Sequence, residues 1–201
     1  HAAATLTGTV NEKSIILIIA RDTSLDEHQY FGVFEIEHNR NVRIALARLE
    51  MHDSNSDGYS LEIKNNSIYL TTNYIHHGVY NHRYQFKDVS GKLKLVGYEA
   101  LSGELFHAFA GVDNYMKLCS KNAKCPEYVY SGTSYNYLSS TSICWAEFIS
   151  EGSIYPEPRG SNRYQPRGIQ HKMSFAKSEL QLLDGFDEDK FVLPKSCYFD
   201  F

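Results

Sequence analysis

The sequence predicts a mainly β protein, an antiparallel sandwich or open barrel with one or two short helices. Three observations carry this. Apolar residues recur at every second position through most segments, which places them on one face of a strand. Clusters of Asn, Asp, Ser and Gly separate those segments at short intervals, as hairpin turns require. The chain holds 15 Tyr and 11 Phe in 201 residues, and aromatic side chains suit a pleated, half-buried surface.

A hairpin over residues 80–101 organises the rest. Tyr84 and Phe86 alternate with Gln85 and Lys87, and Leu93, Leu95 and Gly97 alternate with Lys94, Val96 and Tyr98. The link Asp88-Val89-Ser90-Gly91 carries turn chemistry, with Gly91 free to take a positive φ.

Before it, residues 5–10 read as an opening strand. Residues 14–20 (SIILIIA) form a continuous apolar run, expected as a buried central strand. Residues 21–29 are polar and read as a loop or a single turn. Residues 30–38 alternate as a strand. Residues 43–51 read as another, although their Ala and Leu also suit a helix. Asp53-Ser54-Asn55-Ser56-Asp57-Gly58 marks a sharp turn. Tyr59, Leu61 and Ile63 then alternate up to Asn65-Asn66, and residues 67–73 return.

After the hairpin, residues 102–124 hold a short helix or an irregular loop around Leu105, Phe106, Phe109 and Ala110. Residues 128–138 (YVYSGTSYNYL) read as a strand with a bulge or bend at Gly132. Residues 143–149 read as a strand carrying Cys144 and Trp145. Residues 151–167 hold Pro156, Pro158 and Pro166 and read as extended loop, since Pro removes ladder donors. A strand over 168–176, a short helix over 178–184 and a docked apolar tail from Phe191 to Phe201 complete the chain. One β-rich domain over 1–201 is expected, irregular from about residue 150.

A net charge of −4 argues against a nucleic-acid partner, which needs a clustered basic surface. The apolar run at 15–20 is too short for a membrane span, which takes about 20 residues. Cys119, Cys125, Cys144 and Cys197 form an even set with three possible connectivities. Cys119 and Cys125 can close the short CSKNAKC segment, which leaves Cys144 and Cys197 to pin the tail; the connectivity stays open, and reduced thiols are the alternative. No C-x-x-C pair supports zinc. His1-Ala2-Ala3-Ala4-Thr5 carries the small residues that flank signal-peptidase sites, though an expression remnant reads the same way. A periplasmic or secreted location, with the signal peptide already removed, is therefore expected.

Leu95-Val96-Gly97-Tyr98-Glu99 and Ser134-Tyr135-Asn136-Tyr137-Leu138-Ser139-Ser140, with Phe86 before them, resemble a group of uncharacterised bacterial secreted β-proteins. Their pattern runs L-I-G-Y-[DE] and then S-Y-N-Y-L-T-G. Here Ser139-Ser140 replaces the final T-G. The likeness covers about a quarter of the chain and implies a β fold but no enzymatic role. Within it, Ser131-Gly132-Thr133-Ser134-Tyr135 resembles the S-G-x-x-Y loop of periplasmic lysozyme inhibitors. That resemblance implies hydroxyls presented to a hydrolase cleft.

No catalytic signature stands out. Gly132-Thr133-Ser134-Tyr135-Asn136 lacks the second Gly of a nucleophile elbow, and H-E-x-x-H and phosphate loops are absent. Asp53, Asn55 and Asp57 before Gly58 match the first half of a calcium loop, but position twelve is Lys64, and a bare Asx-rich hairpin turn is the preferred reading over a calcium site. No other cofactor is expected. Asp184, Asp187, Glu188 and Asp189 read as a solvated acidic face. His76, His77 and His82 read as exposed loop residues, with a pH-sensitive surface as the alternative.

The expected function is a non-enzymatic, disulfide-stabilised binding protein. It would neutralise another protein, a toxin or cell-wall hydrolase, as an immunity protein or inhibitor does. Ser131, Thr133, Ser134, Tyr135 and Tyr137 are the expected contacts. A secreted hydrolase with scattered carboxylates and a glycan-binding module using exposed Tyr and Trp145 are the alternatives.

Overall fold

Three two-residue turns show how the chain is built. Asn11-Glu12 (φ 48° and 66°), Asn65-Asn66 (50° and 55°) and Ser90-Gly91 (59° and 78°) all place both central residues at positive φ. That is the type I′ geometry whose twist matches the strands it joins. Asp88 Oδ1 accepts a bond of 2.8 Å from the Gly91 N–H and fixes the last of these turns.

The computed structural model describes residues 2–21, 29–37, 40–49, 58–75, 78–105, 127–149 and 169–193. Strands β1 (Ala2–Val10), β2 (Lys13–Arg21), β3 (Gln29–Glu37) and β4 (Arg40–Leu49) form a four-stranded sheet in sequence order. Strands β5 (Gly58–Lys64), β6 (Ser67–Ile75), β7 (Gly78–Val89), β8 (Lys92–Leu105), β9 (Tyr128–Asn136), β10 (Thr141–Ile149) and β11 (Ile169–Ser174) form a seven-stranded sheet, also in order. Every strand pairing is antiparallel. The sheets do not close into a barrel, so the sandwich is the architecture realised.

The core lies between the sheets. Ile15, Leu17 and Ile19 of β2, Phe31 and Val33 of β3, and Ala45, Ala47 and Leu49 of β4 come from one side. Ile68 and Leu70 of β6, Tyr84 and Phe86 of β7, Leu95 and Tyr98 of β8 and Tyr135 of β9 come from the other. Each fully buried large apolar side chain contributes about 1.5–3 kcal/mol. The apolar run of β2 is buried on one face only: Ile16 and Ile18 are half-buried on the other. It is an inner strand of its sheet with a buried core face, as expected of a buried central strand.

A bulge decides the face of Tyr98. Gln85 pairs with Gly97 and Phe86 with Leu95, leaving Val96 as an extra residue. Leu95 and Tyr98 therefore both point inward, and Gly97 points out. Strict alternation put Tyr98 with Lys94 and Gly97 with Leu95; the extra residue inverts that parity.

The segment after β11 ties the sheets together. β9 pairs with β8 only from Gly97 to Leu105, so the start of β8 has an open edge. Leu95 N–H donates to Gln181 O, and Leu183 N–H to Leu93 O, both at 2.8 Å. A few residues on, Gly185 N–H donates to Leu46 O at 2.9 Å, and Arg48 N–H to Phe186 O at 2.8 Å, along the edge strand β4. Asp184 Oδ1 also accepts from Leu46 N–H at 3.1 Å. These bonds to two sheets replace the short helix expected over 178–184. Among the described residues the helical structure is a single 3-10 turn, Glu188–Lys190.

The acidic knot belongs to this strap. Glu188 is buried, and its Oε1 accepts from Tyr84 Oη at 2.9 Å and Thr72 Oγ1 at 3.3 Å. Arg48 reaches Asp189 at 2.9 Å, and Lys190 reaches Asp187 at 2.7 Å. The Lys190 ammonium holds the Asp187 carboxyl below its ordinary range. Of the expected solvated face, Asp184 and Asp189 are exposed and Asp187 is half-buried, while Glu188 is corrected to a buried anchor. Leu183 and Phe186 sink beside it, with the Phe186 ring 5.4 Å from Tyr84 and 5.7 Å from Phe86.

Removing the acceptor shared by Tyr84 and Thr72 has a predictable cost. Glu188→Ala is expected to lower the unfolding free energy by about 1–3 kcal/mol, and Glu188→Gln, which keeps an oxygen acceptor, by less. Urea denaturation at neutral pH measures both; coincident curves for Glu188→Ala and wild type would refute the anchor.

Candidate partner-binding groove

The face of the seven-stranded sheet that points away from the core carries a groove of about 880 Å³. Two cross-strand rows build it. In one, Tyr69, Gln85, Gly97, Asn136 and Thr141 lie opposite one another in turn from β6 to β10. In the next, Arg83, Glu99, Ser134, Ile143 and Lys172 do the same from β7 to β11. Lys64, Lys87 and Leu138 complete the rim.

Several of these side chains are held in place. Gly97 leaves the trough floor low, and a Cβ there would meet Gln85 Oε1 at 2.9 Å. Gln85 Nε2 donates to Ser67 Oγ at 3.0 Å. Arg83 donates from Nη2 to Glu62 Oε2 at 2.6 Å, has Nη1 3.7 Å from Glu99 Oε2, and lays its guanidinium 4.1 Å above the Tyr69 ring. Asn136 Oδ1 accepts from the N–H groups of Leu138 (3.0 Å) and Ser139 (3.1 Å), fixing the turn into β10. Among the described residues Lys64, Arg83, Lys87 and Lys172 face the groove against one carboxylate, Glu99.

The five expected contacts divide between the two faces. Ser134 lines the groove. Ser131 points the other way, its Oγ 2.8 Å from Ser102 Oγ. Thr133 Oγ1 is buried with no hydrogen-bond partner among the described residues. Tyr135 is 2% exposed in the core, 6.1 Å from the Tyr98 ring. Tyr137 stacks on Tyr135 at 6.2 Å and 17°, and both meet Phe175 at 5.9 Å. Burial raises the phenols of Tyr135 and Tyr137 above their ordinary value, Tyr137 strongly.

The S-G-T-S-Y segment is continuous strand. The β8–β9 and β9–β10 registers pass through it without a shift, so the expected bulge or bend at Gly132 is absent. Gly132 serves a close approach instead. A Cβ there would lie 2.6 Å from the Trp145 ring and 2.7 Å from Ala100 O. Trp145, 7% exposed, offers no open face for a sugar. His82 is half-buried on β7 with its ring edge-on to Tyr98 at 5.8 Å, which corrects its reading as an exposed loop residue.

Asp53, Asn55, Asp57, His76, His77, Cys119, Cys125 and Cys197 lie outside the described residues. Cys144 is buried. Among the described residues no group of three or more His, Cys, Asp and Glu is placed to hold a metal ion. Sequence reasoning missed Tyr69, Arg83, Gln85, Lys87 and Lys172. The signal available was their outward parity, which becomes a site only once the strand order is known.

Comparison of the chain with protein-family models, with curated proteins and with solved structures gives no match in any of the three.

Two variants test the packing of the strands that carry the groove. Gly132→Ala forces its methyl against a backbone carbonyl and the indole, and is expected to cost about 1–3 kcal/mol with a change in Trp145 fluorescence; full stability would contradict the packing. Tyr137→Phe removes a buried hydroxyl that has no partner among the described residues, so stability at neutral pH is expected to hold or rise. Its folded pKa is raised, so its contribution is present below the ordinary phenol value of about 10 and fades as pH climbs past it. Urea midpoints across that range should fall less steeply for Tyr137→Phe than for wild type.

Proposed function

We propose that this chain is a periplasmic or secreted binding protein that grips another protein and neutralises it, as an immunity protein or a cell-wall hydrolase inhibitor does. The grip is the outer-face groove. The observation that carries this is the meeting of two distant segments. Leu95-Val96-Gly97-Tyr98-Glu99 and Ser134-Tyr135-Asn136-Tyr137-Leu138 are the stretches that resemble the secreted β-protein group. Gly97 lies opposite Asn136 and Glu99 opposite Ser134, and all four line the groove.

The chemistry of the lining supports binding over turnover. Paired-carboxylate hydrolysis needs two acids flanking one bond. Among the described residues the groove has one, Glu99, beside Arg83. A glycan platform needs open ring faces, whereas Arg83 covers Tyr69, and Tyr98 and Tyr135 belong to the core. The even set of four cysteines supports an oxidising compartment.

Ser134→Trp fills the trough from its centre without touching the core. Wild-type protein used as bait in native envelope and culture fractions is expected to retain a protein whose activity falls on binding. The Ser134→Trp bait, with an unchanged melting temperature, should lose it at least tenfold. Equal capture by both baits would remove the groove from the function.

A further inference from the structure

Resting on the groove as the grip, we infer that its occupant is an extended acidic segment of the partner protein, carrying apolar residues between its carboxylates. The first ground is charge. The chain as a whole is at −4, yet Lys64, Arg83, Lys87 and Lys172 line the groove against Glu99. Arg83 is engaged by Glu62 and Glu99, and Lys64 stands 4.0 Å from Glu62. Lys87 and Lys172 form no ion pair with any described residue, so they are the cations left for a partner's carboxylates.

The second ground is spacing. Lys87 lies on β7 and Lys172 on β11, four strand steps or about 19 Å apart across the sheet. Lys172 is in register with Arg83, four residues from Lys87 and about 13 Å along β7. An extended chain covers the diagonal of about 23 Å in about seven residues. Between the two cations the surface is mixed. Leu138 and Ile143 are 54% and 38% exposed, and Ser134, Asn136 and Thr141 alternate with them. Exposed aliphatic side chains between cations match a polypeptide with alternating acidic and apolar residues. A polyanionic sugar presents nothing to cover them.

Charge reversal separates this inference from the groove itself. Lys87→Glu combined with Lys172→Glu is expected to weaken the captured partner about tenfold, or about 1.4 kcal/mol, and wild-type affinity should fall as salt rises. A fluorescent peptide of alternating Glu and Leu should bind wild type and be displaced by the partner; a Lys-Leu peptide should not. If the double variant keeps full affinity while Ser134→Trp loses it, the acidic segment is wrong and the groove stands. If Ser134→Trp keeps affinity too, both fall. Displacement of the partner by alginate but not by the Glu-Leu peptide would also overturn the proposal, in favour of an acidic glycan.

Discussion

The sandwich depends on a strap whose backbone changes allegiance within a few residues. Gln181 and Leu183 bond to β8 of the large sheet, and Gly185 and Phe186 to β4 of the small one. Each contact closes an edge that would otherwise present unpaired N–H and C=O groups, which the interior tolerates poorly. Leu183 and Phe186 bring apolar surface to the same place, and Glu188 supplies the acceptor for Tyr84 and Thr72. A buried carboxylate is destabilising unless donors surround it, so its position is specified by the hydroxyls that meet it. The strap thereby fixes which part of one sheet lies over which part of the other.

The groove inherits its shape from the same geometry. The extra residue Val96 lets Leu95 and Tyr98 both enter the core and sends Gly97 outward. Tyr137 N–H donates to Val96 O at 3.0 Å, so the chain leaving β9 holds the bulge in place. Without that inversion a tyrosine would occupy the trough floor where Gly97 now lies. One irregularity thus sets both the packing below and the space above.

Much of the fold was legible because period-two alternation and turn chemistry are local signals. Asn65-Asn66 and Ser90-Gly91 stand where their sequences place them, and the strands around them follow. The inverted face of Tyr98 was hidden because a bulge adds one residue without a local mark beyond Gly97. Residues 178–184 resemble a helix in composition, yet their backbone groups find better partners in two sheet edges, a tertiary choice. Glu188 looked like one of several solvated acids because its donors, Thr72 and Tyr84, are remote in sequence. Little of the candidate groove was legible. Ser134 was named, while Ser131, Thr133, Tyr135 and Tyr137 face the other way, since five neighbouring residues of a strand cannot share one face.

The inward residues of those two segments bear on function as well as on stability. Tyr98, Tyr135 and Tyr137 stack with Phe175 and Phe191 directly beneath Gly97, Glu99, Ser134 and Asn136. Rings packed this way have few rotamers left, and the strands carrying them pair on both sides. The outward side chains therefore start from a fixed backbone, and several are already pinned, Gln85 by Ser67 and Arg83 by Glu62. Binding by such a face spends little ordering entropy. The long flexible side chains left to be ordered are Lys87 on β7 and Lys172 on β11.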